Sequence, residues 1–175
     1  SGKGGVAFVM ERDYGMKIPR WLQTELAQLV QAESERRGGE MDGSAIHRLF
    51  VDHFVADGAP TRLLGYRLNR NGHDRIEARV GGPGGERMLV GEGQGAIAAF
   101  VDAWQRASDQ EVAVADYVEH ALGEGTDAEA IAYVQLRVDG QCVAGVSLDR
   151  DTVSASLKAV LSALNRVAVT RAQAA

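Results

Sequence analysis

Leu89-Val-Gly-Glu-Gly-Gln-Gly-Ala-Ile-Ala-Ala-Phe-Val-Asp-Ala-Trp104 runs a strand into a glycine-rich turn and then directly into an amphipathic helix. Ile97, Phe100, Val101 and Trp104 fall on one helical face, which anchors the turn to a core. Such a junction leaves backbone N–H groups without helical partners at the start of the helix, where a carboxylate or phosphate can sit. The plain alternative is a tight turn in which glycine supplies permissive backbone angles.

The residues before this junction read as β structure from Ala59-Pro60 onward. Leu64, Tyr66 and Leu68 alternate, and Asn71-Gly72 is a hairpin-type turn. Ile76, Ala78 and Val80 alternate next, Gly81-Gly-Pro-Gly-Gly85 makes a loose turn, and Met88-Leu-Val90 begins the third strand. The order is strand, strand, strand, helix. It then recurs. A strand from Val112 and Val114 runs through Tyr117 toward Ala121 and turns at Gly123-Glu-Gly-Thr126. Ala132, Val134, Leu136 and Val138 are expected to face inward on the next strand, which turns at Asp139-Gly140. Cys142, Ala144, Val146 and Leu148 are expected to face inward on the one after. Asp149 or Asp151 can cap a final helix striped by Val153, Leu157, Val160, Leu161 and Leu164. One supersecondary unit is therefore duplicated, roughly 55 residues apart. Each βββα half should carry a one-sided sheet and a single covering helix, and bury those faces against the other half or a partner.

Residues 1–57 read differently. Val6-Ala-Phe-Val-Met10 fits a short strand. Pro19 suits the first position of a helix whose Leu22, Leu26, Leu29 and Val30 share a face, with Gly38-Gly39 as its stop. A second helix is expected from Ser44, with Ile46, Leu49, Phe50 and Phe54 on one side and a stop at Asp57-Gly58. The predicted fold class is α+β: a small, mostly helical accessory subdomain (1–57, incomplete) followed by two pseudo-symmetric βββα units in a second domain (58–175).

Hydrophobic residues make up 45% of the 175 and charged residues 25%, which is ordinary for a globular chain. A net charge of −5 argues against a nucleic-acid surface or a polybasic membrane patch. No apolar run approaches the ~18 residues of a membrane span, and Ser1 opens no signal-peptide pattern. The single Cys142 is expected to be a small core residue and rules out a disulfide within one chain, which suits the cytoplasm.

Chemistry is harder to find. Gly91-Glu-Gly-Gln-Gly-Ala96 matches the glycine spacing of a dinucleotide fingerprint, with Glu111 about 20 residues on. A dinucleotide fold needs strand, helix and strand in parallel, whereas here three hairpin-linked strands precede the helix. His47, His53, His73 and His120 share no metal-ligand spacing, and no serine elbow is present. No catalytic constellation and no metal site can be read from these residues.

Ser1-Gly-Lys-Gly-Gly-Val-Ala-Phe-Val-Met10, Ile18-Pro-Arg-Trp-Leu-Gln23 and Gly38-Gly-Glu40 resemble the end of the linker region of α-isopropylmalate synthases. Gly91-Glu-Gly-Gln-Gly-Ala-Ile-Ala-Ala-Phe100, Asp116-Tyr117 with Glu119-His-Ala121, and Ser154-Ala-Ser-Leu-Lys-Ala-Val160 with Leu164-Asn-Arg166 resemble the C-terminal regulatory domain of the same family. The likeness covers almost the whole chain, with its motifs in order. It implies a parent enzyme that condenses acetyl-CoA with 2-oxoisovalerate in leucine biosynthesis. Its divalent metal and acetyl-CoA would belong to a catalytic barrel of the same parent chain, N-terminal to these residues. This chain would then hold no cofactor, perform no catalysis, form a homodimer and bind L-leucine as feedback inhibitor.

By the same resemblance the leucine loop is Gly93, Gln94, Gly95, Ala96 and Ile97, and the apolar pocket is Val114, Tyr117, Ala121, Ala128 and Ala130. Gln94 and Ala96 depart from the family's usual Gly-Asn-Gly-Pro. A free amino acid suits such a place, because its carboxylate can meet helix-start N–H groups and its isobutyl group needs the room that small residues leave. Tyr117 can form a wall with a polar tip. Taken singly, each alanine or valine reads better as ordinary sheet core, and only the ordered set points to a pocket. The other expected readings are an isoleucine-sensing domain of a citramalate synthase-like enzyme and a dimerisation module without an effector.

Overall fold

The computed structural model describes residues 3–55 and 58–175. Ser1, Gly2 and the helix stop expected at Asp57 lie outside the described residues. Three helices come first: α1 (Lys3–Tyr14), α2 (Arg20–Arg37) and α3 (Gly43–Phe54). The strand expected at Val6–Met10 is thus helical. Val6 and Met10 are buried one turn apart while Phe8 between them is 61% exposed, whereas a strand would turn all three to one face. Pro19 stands one position earlier than expected, as the N-cap of α2, and Gly38 ends that helix at φ 76° with its N–H on Ser34 and Glu35 carbonyls. Asp42 caps α3 by accepting from the Ala45 N–H at 2.9 Å. Leu22, Leu26, Val30, Ile46, Phe50 and Phe54 interlock as the helical core.

β1 (Arg62–Asn71), β2 (His73–Gly82) and β3 (Gly85–Gly93) form one antiparallel sheet in sequence order, followed by α4 (Ala96–Ala107). β4 (Val112–Leu122), β5 (Glu129–Val138) and β6 (Gln141–Asp149) repeat it, followed by α5 (Thr152–Ala174). The turn at Asp139-Gly140 has positive φ at both residues, the geometry whose twist matches a two-residue hairpin. α4 covers β2 and β3, α5 covers β5 and β6, and each helix also leans on the first strand of the other half. Both sheets and both helices feed one apolar core.

The two sheets are not equally covered. Ala130, Ala132, Val134, Leu136 and Val138 of β5 face the core shared with α5, whereas Ile131 and Tyr133 face the helices α1–α3. β5 and the middle of β6 are therefore buried on both sides, which corrects the one-sided sheet expected there, while β4 stays largely exposed. The expected face of β6 is corrected too. Ala144 and Val146 pack toward the helical core, while Val143 and Gly145 turn to α5. Cys142 is exposed, not core, because the helical unit covers this face only from Ala144 onward.

Asp151 caps α5, accepting from Ser154 N–H at 2.9 Å, Ser154 Oγ at 2.6 Å and the Tyr66 hydroxyl at 2.8 Å. The Ser154 hydroxyl, then the Ser154 N–H and the Tyr66 hydroxyl, hold its carboxyl below the usual range. Asp151→Ala should therefore lower stability by about 1 kcal/mol. A depressed folded-state value means this contribution is fully present above the unfolded value of about 4 and fades as pH falls through the folded one. Urea titrations of parent and variant should differ at pH 7 and converge in strong acid.

Candidate functional site

The loop Gly93-Gln94-Gly95 joins β3 to α4. Gly95 sits at φ 97°, which side chains rarely adopt. Gly93 is needed for a different reason: a Cβ there would lie 2.9 Å from the backbone at Ala98 and Ala99. These two demands bring the strand end hard against the first turn of α4. That turn has no side-chain cap, since its N-cap is Gly95. The N–H groups of Ala96, Ile97 and Ala98 belong to the set that a helix cannot satisfy within itself.

β4 supplies the facing wall. Val114 pairs with Leu136, Tyr117 with Val134 and Ala121 with Ala130 in the ladder. All three partners belong to the shared core, so Val114, Tyr117 and Ala121 point to that same face. Ile97, Ala96 and Tyr117 pack against this core. The start of α4, at Ala96 and Ile97, and Tyr117 of β4 therefore meet one core. Ala130 is itself buried in the core, Ala128 is half-buried in the turn before β5, and Gln94 is exposed beside His73. In one protomer this face stays open. Val114 is 40% exposed, and Ala121 is exposed on β4, whose outer edge no other strand among the described residues flanks.

Two further residues belong to the same wall and escaped sequence reasoning. Tyr117 donates its hydroxyl to Glu119 Oε2 at 2.5 Å and lies 2.6 Å from Ser156 Oγ on α5. Glu119 shares the face of Tyr117 because it lies two residues on along the strand, a signal available in the sequence. Ser156 lies 39 residues from Tyr117 and carries no such signal. Burial pushes the Tyr117 phenol up, so it remains a protonated donor across the physiological range.

Comparing the two halves shows what is special about the first. Each edge strand has a bulge, at Leu63/Gly65 and at Val114/Asp116, and each bulge is followed at once by a tyrosine, Tyr66 or Tyr117. A Cβ on Gly91 would strike Ala99 O and Ala103 N of α4, and one on Gly145 would strike Ala159 O and Ala163 N of α5. These contacts align the halves. Eight positions separate Gly91 from Ala99, but fourteen separate Gly145 from Ala159. The additional residues complete β6 and build the first turn of α5. In that turn the Asp151 carboxylate meets both the helix N–H groups and the Tyr66 hydroxyl. α4 begins one turn deeper and has no such carboxylate.

A model of the LeuA allosteric (dimerisation) domain matches residues 40–168. Over 171 residues the chain is 43% identical to a 2-isopropylmalate synthase of Pseudomonas fluorescens, covering 95% of this chain and 30% of that protein. It is 42% identical over 169 residues to the 2-isopropylmalate synthase of Pseudomonas putida, covering 95% of this chain and 30% of that protein. The 2-isopropylmalate synthase of Alcanivorax borkumensis is 40% identical over 177 residues, covering 99% of this chain and 31% of that protein. The chain thus spans under a third of the length of these relatives. None of the helices among the described residues is long and apolar enough to cross a membrane.

Proposed function

Because the chain belongs to the LeuA allosteric (dimerisation) domain family, we propose that it is the regulatory region of a 2-isopropylmalate synthase, binding L-leucine as feedback inhibitor and pairing as a homodimer. One observation carries the ligand reading. The start of α5 is met by the Asp151 carboxylate, which also accepts from Tyr66 of the first half, whereas α4 begins uncapped and leaves its first N–H groups to a carboxylate from outside. A leucine carboxylate on the N–H groups of Ala96 and Ile97 takes that role. Glu119 provides a negative charge for the ammonium, and Val114, Ile97, Ala121 and Ala128 accommodate the isobutyl group. The catalytic partner is the barrel of the parent chain, where acetyl-CoA and 2-oxoisovalerate would react in the cytoplasm.

Thermal denaturation with a panel of branched-chain amino acids tests this. Leucine at 100 times its dissociation constant should stabilise the chain by about 2.7 kcal/mol, more than isoleucine or valine. A larger shift with isoleucine would instead favour the citramalate synthase-like reading, and a flat response to all three the module without an effector. Ala121→Leu sharpens the result. Ala121 is exposed in one protomer, so the variant should melt within about 0.5 kcal/mol of the parent yet lose its response to leucine. A normal response would remove Ala121 from the site.

Dimerisation closes the open face. Val114 lies exposed on that face of β4, an edge strand that presents unpaired backbone groups. Light scattering at micromolar concentration should return twice the mass of one chain, and a single-chain mass would count against pairing.

A further inference from the structure

Arg166 of α5 stands where the helical unit meets the regulatory sheets. Its Nη1 donates to the Ala144 carbonyl of β6 at 2.6 Å. Its Nη2 lies 3.1 Å from His53 Nε2 of α3 and 3.4 Å from Glu25 Oε2 of α2. The guanidinium also covers the Phe54 ring, 4.9 Å from its centroid. One turn earlier, the buried Ser162 hydroxyl donates to the Phe54 carbonyl at 2.8 Å. Burial and the charge of Arg166 hold His53 below its usual value, which keeps its ring available as an acceptor. At the other end of the same helix, Ser156 meets the Tyr117 hydroxyl. Ten residues of helix, about 15 Å, separate the two contacts.

We propose that Arg166 is the coupling residue of this chain: through its guanidinium, α5 locks the helical unit to the regulatory sheets, so that both unfold as one body and a change beside Tyr117 reaches α3. Apolar packing across the seam is non-directional and tolerates small slides. A guanidinium bonded to a strand carbonyl and to two helices fixes direction and register together. Among the described residues the Ser162–Phe54 bond and a backbone bridge between Val55 and Val146 also cross the seam, but each reaches only the end of α3, and one further crossing is weaker. It is a hydrogen bond from the Lys17 N–H to His120, 3.2 Å long and exposed.

The chain carries its own pair of reporters. Trp21 lies in α2 and Trp104 in α4, and the sequence contains no other tryptophan. Trp104→Phe leaves a probe of the helical unit, and Trp21→Phe a probe of the sheets. In these two backgrounds the urea midpoints should coincide. Adding Arg166→Met should move the Trp21 midpoint below the Trp104 midpoint by about 0.5 M or more, with Arg166→Lys in between. Coincident midpoints in Arg166→Met would overturn the proposal. Should that variant not fold, Glu25→Gln combined with His53→Phe removes two partners and keeps the guanidinium. It must separate the midpoints in the same direction, and coincidence there overturns the proposal equally.

A second arm rests on the leucine reading. With leucine, both midpoints should rise in the parent, but only the Trp104 midpoint in Arg166→Met. A rise of both in Arg166→Met overturns the coupling. No rise in the parent counts against leucine alone, and the urea midpoints without ligand then decide the coupling.

Discussion

Gly145→Ala is expected to cost the protein about 3 kcal/mol or more, the largest effect of any single methyl group in the chain. The added Cβ would stand 2.2 Å from the Ala159 carbonyl oxygen and 2.5 Å from the Ala163 nitrogen. Overpacking usually costs about 1–3 kcal/mol, and the upper end applies because the obstacle is helix backbone, which cannot swing aside as a side chain does. Relief requires α5 to lift from β6, taking with it the contacts of Ser162 and Arg166. Gly91→Ala should behave alike, with its Cβ 2.3 Å from Ala103 N and 2.4 Å from Ala99 O. Gly84→Ala is the control, since nothing lies within 4 Å and its backbone does not require glycine. Equilibrium urea unfolding of the three variants checks the order. Equal midpoints would mean that the helices are not seated on the glycines.

Phe100→Ala is expected to cost about 3–5 kcal/mol, a large part of the roughly 5–15 kcal/mol that holds a domain together. Phe100 is fully buried in the core that both sheets share, and it anchors the helix whose first turn forms the proposed leucine site. The variant should therefore lose leucine response along with stability. Phe8→Ala, at a position 61% exposed, should stay within about 0.5 kcal/mol of the parent. Calorimetric melting distinguishes the two, and a mild Phe100→Ala would show that α4 is held chiefly by its other contacts.

That contrast also shows what sequence can and cannot say. Val6-Ala-Phe-Val-Met10 is apolar at every position, so neither period stands out, and only the packing of Val6 and Met10 settles it as helix. The duplicated strands were legible because Ile76, Ala78 and Val80 alternate with charged residues, and because Asn71-Gly72 and Asp139-Gly140 mark their hairpins. β6 was legible as a strand but not in its facing. Val143, Ala144, Gly145 and Val146 are all small and apolar, as a strand buried on both sides should be, and such a run has no phase. The loop from Gly93 to Ile97 could be placed from its motif, whereas the meetings of Tyr66 with Asp151 and Tyr117 with Ser156 exist only after folding. Their separations of 85 and 39 residues leave no local trace.

The shorter path from β3 into α4 has a consequence for stoichiometry. A duplicated unit invites the expectation of two equivalent sites per chain, with the statistical factors and cooperativity such pairs permit. Here the second copy carries a carboxylate of its own, the Asp151 side chain, tethered and therefore present at an effective concentration no free metabolite reaches. On the leucine reading, an isotherm should saturate at one molecule per chain. Shortening the connection before α5 would be the way to open a second site.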